Sequence, residues 1–197
     1  MVNNFDLILE KGINSDIKDE DGLFYHCQIL RRPKDFPNEK VPERLIKAYF
    51  VRSANHLVAL KDEIITLCDT FKARAYINLS LKSIRGIQLL ALEEIAKDLS
   101  SDDTRNPNKV LNSIAGKLKS KIPMWVVDVD DLEEQDTIES FIGGLVDGQA
   151  IYLKVPTKSG IHLITRPFNR DAFSRAFPDV GVQINAAGTL LYCPEIT

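Results

Sequence analysis

Two short stretches of this chain carry residue types whose spacing can do chemistry. The first is PMWVVDVDDLEEQD, from Pro123 to Asp136. Its apolar run is strand-like, and a strand places residues i and i+2 on one face, roughly 6–7 Å apart. Val126, Asp128 and Asp130 therefore share a face, while Trp125, Val127 and Val129 point the other way into a core. Two carboxylates on one side of a mostly buried strand repel each other and lose hydration unless a cation sits between them. That pattern suits a divalent metal. The competing reading is a strand end whose acids are already in water, with Asp130 and Asp131 opening a turn.

The second stretch is PTKSGIHLI. Lys158, Ser159 and Gly160 form a tight turn, and His162 enters the next strand. A glycine there allows close backbone approach to a ligand. A hydroxyl, nearby amides and a lysine are suitable donors for phosphate oxygens, and His162 can contact a phosphate or move a proton. The alternative is a plain hairpin with a structural strand histidine.

The elements that must position these stretches follow from periodicity and punctuation. AIYLKVPT and IHLITRPF read as strands joined by KSG; QDTIESFIGGLVDG reads as a helix with an Asp136 or Thr137 cap and a Gly148 exit. NRDAFSRAF is a short helix, and GVQINAAGTLLYCP a closing strand or hairpin. From MWVVDVD onward the order is β-α-β-β-α-β, a ferredoxin-like or RNA-recognition-type arrangement. This topology sets the first strand beside the central hairpin, so Asp128 and Asp130 are expected next to KSGIH. Upstream, LIKAYFVRS and RAYINLSL read as strands flanking a helix, ANHLVALKDEIITLCDTFKA, with Leu57, Leu60, Ile64, Leu67 and Cys68 on one face. Two further helices are expected in SIRGIQLLALEEIAKDLSS and before Pro123. The expected class is α/β of the α+β kind: an N-terminal extension over 1–45, an αβ unit over 46–122, and the RNA-recognition-like unit over 123–197, all in one compact core.

Composition bounds the function classes. The chain has 197 residues, 44% hydrophobic and 27% charged, as an ordinary globular protein does. No apolar run approaches membrane-spanning length, so no membrane partner is expected. The opening MVNNFDLILEKGINSD lacks the features of a secretory signal. Cys27, Cys68 and Cys193 are far apart and read as reduced packing thiols, which points to a cytoplasmic protein. The formal net charge of −3 shows no strong basic excess, so any nucleic-acid contact must come from a local patch or through a metal.

Taken together and in order, VVDVD and SGIH resemble the motifs of the archaeo-eukaryotic primase superfamily. That group includes replicative primases, primase-polymerases and the polymerase domain of bacterial end-joining ligases. Its core is similar in layout, an αβ unit followed by an RNA-recognition-like unit. The resemblance covers about residues 45–197, and ARAYINLSLKS is a weaker match to a strand of the αβ unit. It implies that Asp128 and Asp130 bind Mg²⁺ or Mn²⁺ and act in catalysis with His162. It also implies that Ser159, Gly160 and His162 contact the incoming nucleotide, with Lys158 a candidate phosphate partner by its proximity in the chain. Lys154 and Arg166 are further phosphate candidates, Arg166 because it lies four positions beyond His162 on the same strand face. The implied activity is metal-dependent nucleotidyl transfer from a nucleoside triphosphate on a DNA or RNA template. A helicase or other replication partner would have to come from outside, since nothing here resembles a helicase motor, zinc finger or ligase site.

The chain departs from the family at the third motif, an acid on a later strand. VQINAAGTLLYCP matches in spacing, but Gln183 holds the acid's place, Asn185 is also neutral, and Asp179 and Glu195 are out of phase. Asp131, Glu133 and Glu134 are candidate substitutes. The alternative is therefore a catalytically degenerate primase-like module that binds a nucleotide or a nucleic-acid end. A nuclease would want more carboxylates or histidines near the metal, and His26 and His56 read as structural. A two-histidine phosphoesterase lacks its His-x-Thr/Ser pairs. An ordinary RNA-recognition sheet would display aromatics, of which Tyr152 is the one obvious candidate in the hairpin.

Overall fold

The computed structural model describes residues 1–37, 42–101, 105–184 and 188–195. The chain forms two antiparallel sheets with flanking helices, the first of them the short α1 (Phe5–Leu7), in an α+β architecture. Strands β2 (Leu23–Arg31), β3 (Arg44–Val51) and β4 (Arg74–Ser83) belong to the first sheet, with β1 (Val2–Asn3) and β9 (Thr189–Cys193) at its other side in the order β1-β9-β4-β2-β3. The second sheet has the order β6-β7-β5-β8, from β5 (Trp125–Val129), β6 (Ile151–Pro156), β7 (Ile161–Thr165) and β8 (Gly181–Gln183). With α5 (Gln135–Leu145) and α6 (Arg170–Ala176) as its crossovers, this is the ferredoxin-like order expected from β-α-β-β-α-β.

Alternation decides what each face meets. In β2, Tyr25, Cys27 and Ile29 pack toward α2 (Ala54–Phe71), which buries Leu57, Ile64 and Cys68 on the stripe read from its spacing. The Ser53 hydroxyl caps that helix by accepting from the His56 amide at 3.1 Å, and Lys72 ends it in the left-handed region at φ 48°. On the opposite face, Phe24 packs with Ile87 of α3 (Ile84–Ser100) and with Val110 and Ile114 of α4 (Pro107–Lys117). Gln28 and Leu30 continue that face beyond the helices and are left to wall a cavity. In the second sheet, Val127, Val129 and Leu163 pack on Ile138 and Ile142 of α5 and Phe173 of α6. Cys27, Cys68 and Cys193 are free and buried.

Three boundaries differ from the sequence expectation. Residues 1–45 are more than an extension: β2 lies between β4 and β3 and pairs with both, and Phe5 and Ile8 are fully buried in the main core. β9 leaves the RNA-recognition-like unit for the first sheet, where all five of its residues are buried between β1 and β4. Helix α5 begins at Gln135 with Glu134 at the cap position, earlier than Asp136 or Thr137, and Glu134 makes no side-chain capping bond. Gly148, at φ 80°, follows the helix end as expected.

Direct polar stitches hold the sheets in register. The Asn4 side-chain amide donates to the carbonyls of Pro156 (2.8 Å) and Leu190 (2.9 Å), tying the end of β6 to β9. The Ser80 hydroxyl donates to the Met124 carbonyl at 2.9 Å and accepts from the Met124 amide at 2.8 Å, fixing the entry to β5 against β4. Among the described residues, no helix is long and apolar enough to cross a membrane.

Candidate active site

The antiparallel register of β5 and β7 sets Asp128 directly opposite His162. Val126 is buried in the core that both sheets share, so the Val126–Asp128–Asp130 face of β5 looks toward the first sheet. Asp128 thus sits in a cleft between the sheets, while Asp130, the first residue past the end of β5, is exposed at the mouth of that cleft where the turn opens. Asp128 Oδ1 lies 3.4 Å from His162 Nε2, and the Asp128 side chain is 36% exposed. Asp130 is exposed, and its Oδ1 accepts from the Ser159 hydroxyl at 2.9 Å. On the other flank β8 places Gly181 opposite Asp128, with no side chain to obstruct it.

The Thr157–Gly160 turn brings Ser159 to this point. The Thr157 amide donates to the Gly160 carbonyl at 2.9 Å, and the Gly160 amide donates to Thr157 Oγ1 at 2.9 Å. A Cβ at residue 160 would run into the Val129 carbonyl oxygen and lie 2.8 Å from Asp130 Cα. Glycine is required because the turn rests on the β5 backbone; its amide is already committed to Thr157. Gly160→Ala is expected to destabilise the fold by about 1–3 kcal/mol, the usual cost of overpacking, read as a lower urea midpoint.

The first sheet supplies the facing wall. Its registers align Gln28 with Tyr76, Tyr76 with Leu190, and Leu30 with Arg74. Arg32, just past β2, donates from Nη1 to the Tyr76 hydroxyl at 2.8 Å. Arg74 makes an ion pair with Asp35, their side chains only 11% and 2% exposed. Together the two sheets enclose a cavity of about 330 Å³, where Asp128, Asp130, Ser159, Lys158 and His162 face Arg32, Lys34, Arg74 and Tyr76. The Asp128 carboxyl is held below the usual carboxylate range by its hydrogen bond to His162; burial opposes this, and the charges of His162, Lys34 and Arg32 add to it.

Of the residues singled out in the sequence, Asp128, Asp130, Lys158, Ser159 and His162 line one cavity, with Gly160 supporting the turn behind them. Arg166 does not join them: it is exposed beyond the end of β7 and is not part of the lining. Lys154 pairs with Glu139 of α5 at 2.7 Å. Asp131, Glu133 and Glu134 are exposed in the turn after β5 and do not line the cavity. Gln183 does, opposite Val126, so a neutral amide stands on the carboxylate face. Asn185 lies outside the described residues. Sequence reasoning missed Arg32, Lys34, Arg74, Tyr76 and Glu43, all of which line the cavity.

The donor set can be tested against a metal. Among the described residues, no group of three or more His, Cys, Asp and Glu side chains is placed to hold an ion alone. Magnesium does not need such a cage; it is commonly held by one or two carboxylates together with substrate phosphates and water. Asp128 and Asp130 beside a cationic wall fit one hard ion arriving with a phosphate. They do not fit a carboxylate-rich clamp for two ions. No family model, curated protein or solved structure matches this chain.

Proposed function

We propose that the cleft is a metal-dependent nucleoside-triphosphate site of primase-polymerase type, acting on a DNA or RNA template. The observation that carries this reading is the two-aspartate strand face set across one cavity from Arg32, Lys34 and Arg74, with Lys158 and Ser159 at its rim. Carboxylates and cations gathered this way have complementary tasks toward a triphosphate: one set holds an ion, the other meets phosphate oxygens directly. Asp128 and Asp130 would hold Mg²⁺ or Mn²⁺, which when bound offsets phosphate charge and polarises the attacking hydroxyl. Lys158, Arg32 and Lys34 pair with phosphate oxygens. Ser159 already bonds Asp130 and keeps that carboxylate oriented. His162 offers its Nε2 edge beside Asp128. Tyr76 provides an aromatic surface for a base.

Gln183 favours a second reading, a primase-like module that binds the nucleotide without transferring it, because an amide adds no charge where the family has its third acid. Nucleotide incorporation separates the two. On bare and on primed single-stranded templates, with Mg²⁺ and then Mn²⁺, products that depend on the metal support transfer. Absence of product from folded protein that still binds triphosphate supports the binding module.

A further inference from the structure

His162 touches both sheets. Its Nε2 faces Asp128 of β5, while its Nδ1 lies 3.0 Å from the Thr189 hydroxyl at the start of β9, on the other sheet. His162 and Thr189 are only 8% and 1% exposed. We infer that Thr189 is the positioning residue for His162, fixing both its ring orientation and its tautomer. This deepens the triphosphate reading and rests on it for the purpose the tautomer serves.

The direction of the hydrogen bonds follows from what each partner can do. An ionised carboxylate only accepts, so an Nε2 turned to Asp128 is favourable when it carries the proton. A neutral ring protonated there has its lone pair on Nδ1, which needs a donor. The Thr189 hydroxyl supplies it, being able to donate or accept. Valine at 189 keeps the shape but leaves Nδ1 buried without a donor. The ring is then free to move its proton to Nδ1 and to set a lone pair against the Asp128 carboxylate. At 1% exposure Thr189 is too enclosed to act as a nucleophile.

The backbone reserves this place for residue 189. A Cβ on the preceding Gly188 would lie 2.8 Å from Tyr76 Cβ and 3.2 Å from the Ile77 amide nitrogen. Only glycine lets β9 begin this close to β4, and Thr189 then pairs with Ile77. The crossing of β9 to the first sheet therefore delivers one hydroxyl to the histidine of the second. His162 lines the cavity, so a phosphate oxygen bound there would be able to accept from its Nε2–H.

The test reads the ring directly. Nitrogen-15 NMR of the imidazoles in mildly alkaline buffer, with His162 assigned by its loss in His162→Gln, should show pyridine-like Nδ1 and pyrrole-like Nε2 in the wild type. Thr189→Ser should keep that signature, and Thr189→Val should lose it. With Mn²⁺ and a non-hydrolysable nucleoside triphosphate, Thr189→Val should bind about tenfold more weakly, as for one lost hydrogen bond to a phosphate, and Thr189→Ser close to wild type. A wild-type ring protonated at Nδ1 overturns the inference, and this needs no variant to fold. So does a folded Thr189→Val with the wild-type signature. If the signature depends on Thr189 but the wild type binds no triphosphate, the positioning stands and the triphosphate reading fails.

Discussion

Replacing Asp128 and Asp130 together with alanine is expected to weaken metal-dependent triphosphate binding about 100-fold or more, given that loss even of outer partners of a metal ligand costs 10–100-fold. The fold should survive the change. Asp130 is exposed, Asp128 is partly so, and neither side chain belongs to a hydrophobic cluster. The sign without metal is the more discriminating part. In wild-type protein lacking metal, incoming phosphates meet two carboxylates. In the variant those two charges are gone, so Arg32 and Lys34 attract them more strongly, with Glu43 still in the lining and Arg74 still paired with Asp35. The double variant should therefore bind triphosphate more tightly than wild type when a chelator is present, and more weakly when Mg²⁺ or Mn²⁺ is present. Calorimetry in both conditions checks the crossing. Equal affinities in the presence of metal would remove the carboxylates from the site.

Arg74→Met should be the most damaging single substitution in the facing wall. It removes the ion-pair partner of the Asp35 carboxylate, whose side chain is 2% exposed. Breaking a buried pair by removing one partner typically costs about 3–5 kcal/mol. Among the described residues, Asp35 Oδ2 and Arg74 Nε have no hydrogen-bond partner, so the pair is incompletely satisfied even when intact. Replacing both, Arg74→Met with Asp35→Leu, should for that reason recover most of the lost stability in a urea titration. Triphosphate affinity should not recover, because the cavity has still lost a cation. Recovery of both would make Arg74 purely structural.

The carboxylate side of the cleft is legible in the sequence because its geometry is local. Period-2 alternation puts Asp128 and Asp130 on one face, and the βαββαβ order brings KSGIH alongside. The facing wall is long-range and was not legible. Arg32 and Lys34 sit in RRPKDFP, which reads as a loop, and nothing local shows that β2 aims them across a cleft. Alternation in RAYINLSL does place Arg74 and Tyr76 on one face, but not what that face meets. The sheet to which β9 belongs is not legible either. TLLYC is buried on both faces and so lacks the alternation that would assign it to either sheet. In the sequence Gly160 reads as making room for a ligand, whereas the approach it permits is to β5 itself.

In the proposed function, the cleft between the sheets binds a nucleoside triphosphate through a metal held by Asp128 and Asp130. The most direct test is calorimetric titration of the intact chain with a non-hydrolysable nucleoside triphosphate, in Mg²⁺, in Mn²⁺ and in chelator. Saturable one-site binding that requires either metal and is lost in the Asp128→Ala/Asp130→Ala variant is the expected result. Folded wild-type protein that binds no triphosphate with either metal, or binds it equally well in chelator, would contradict the claim.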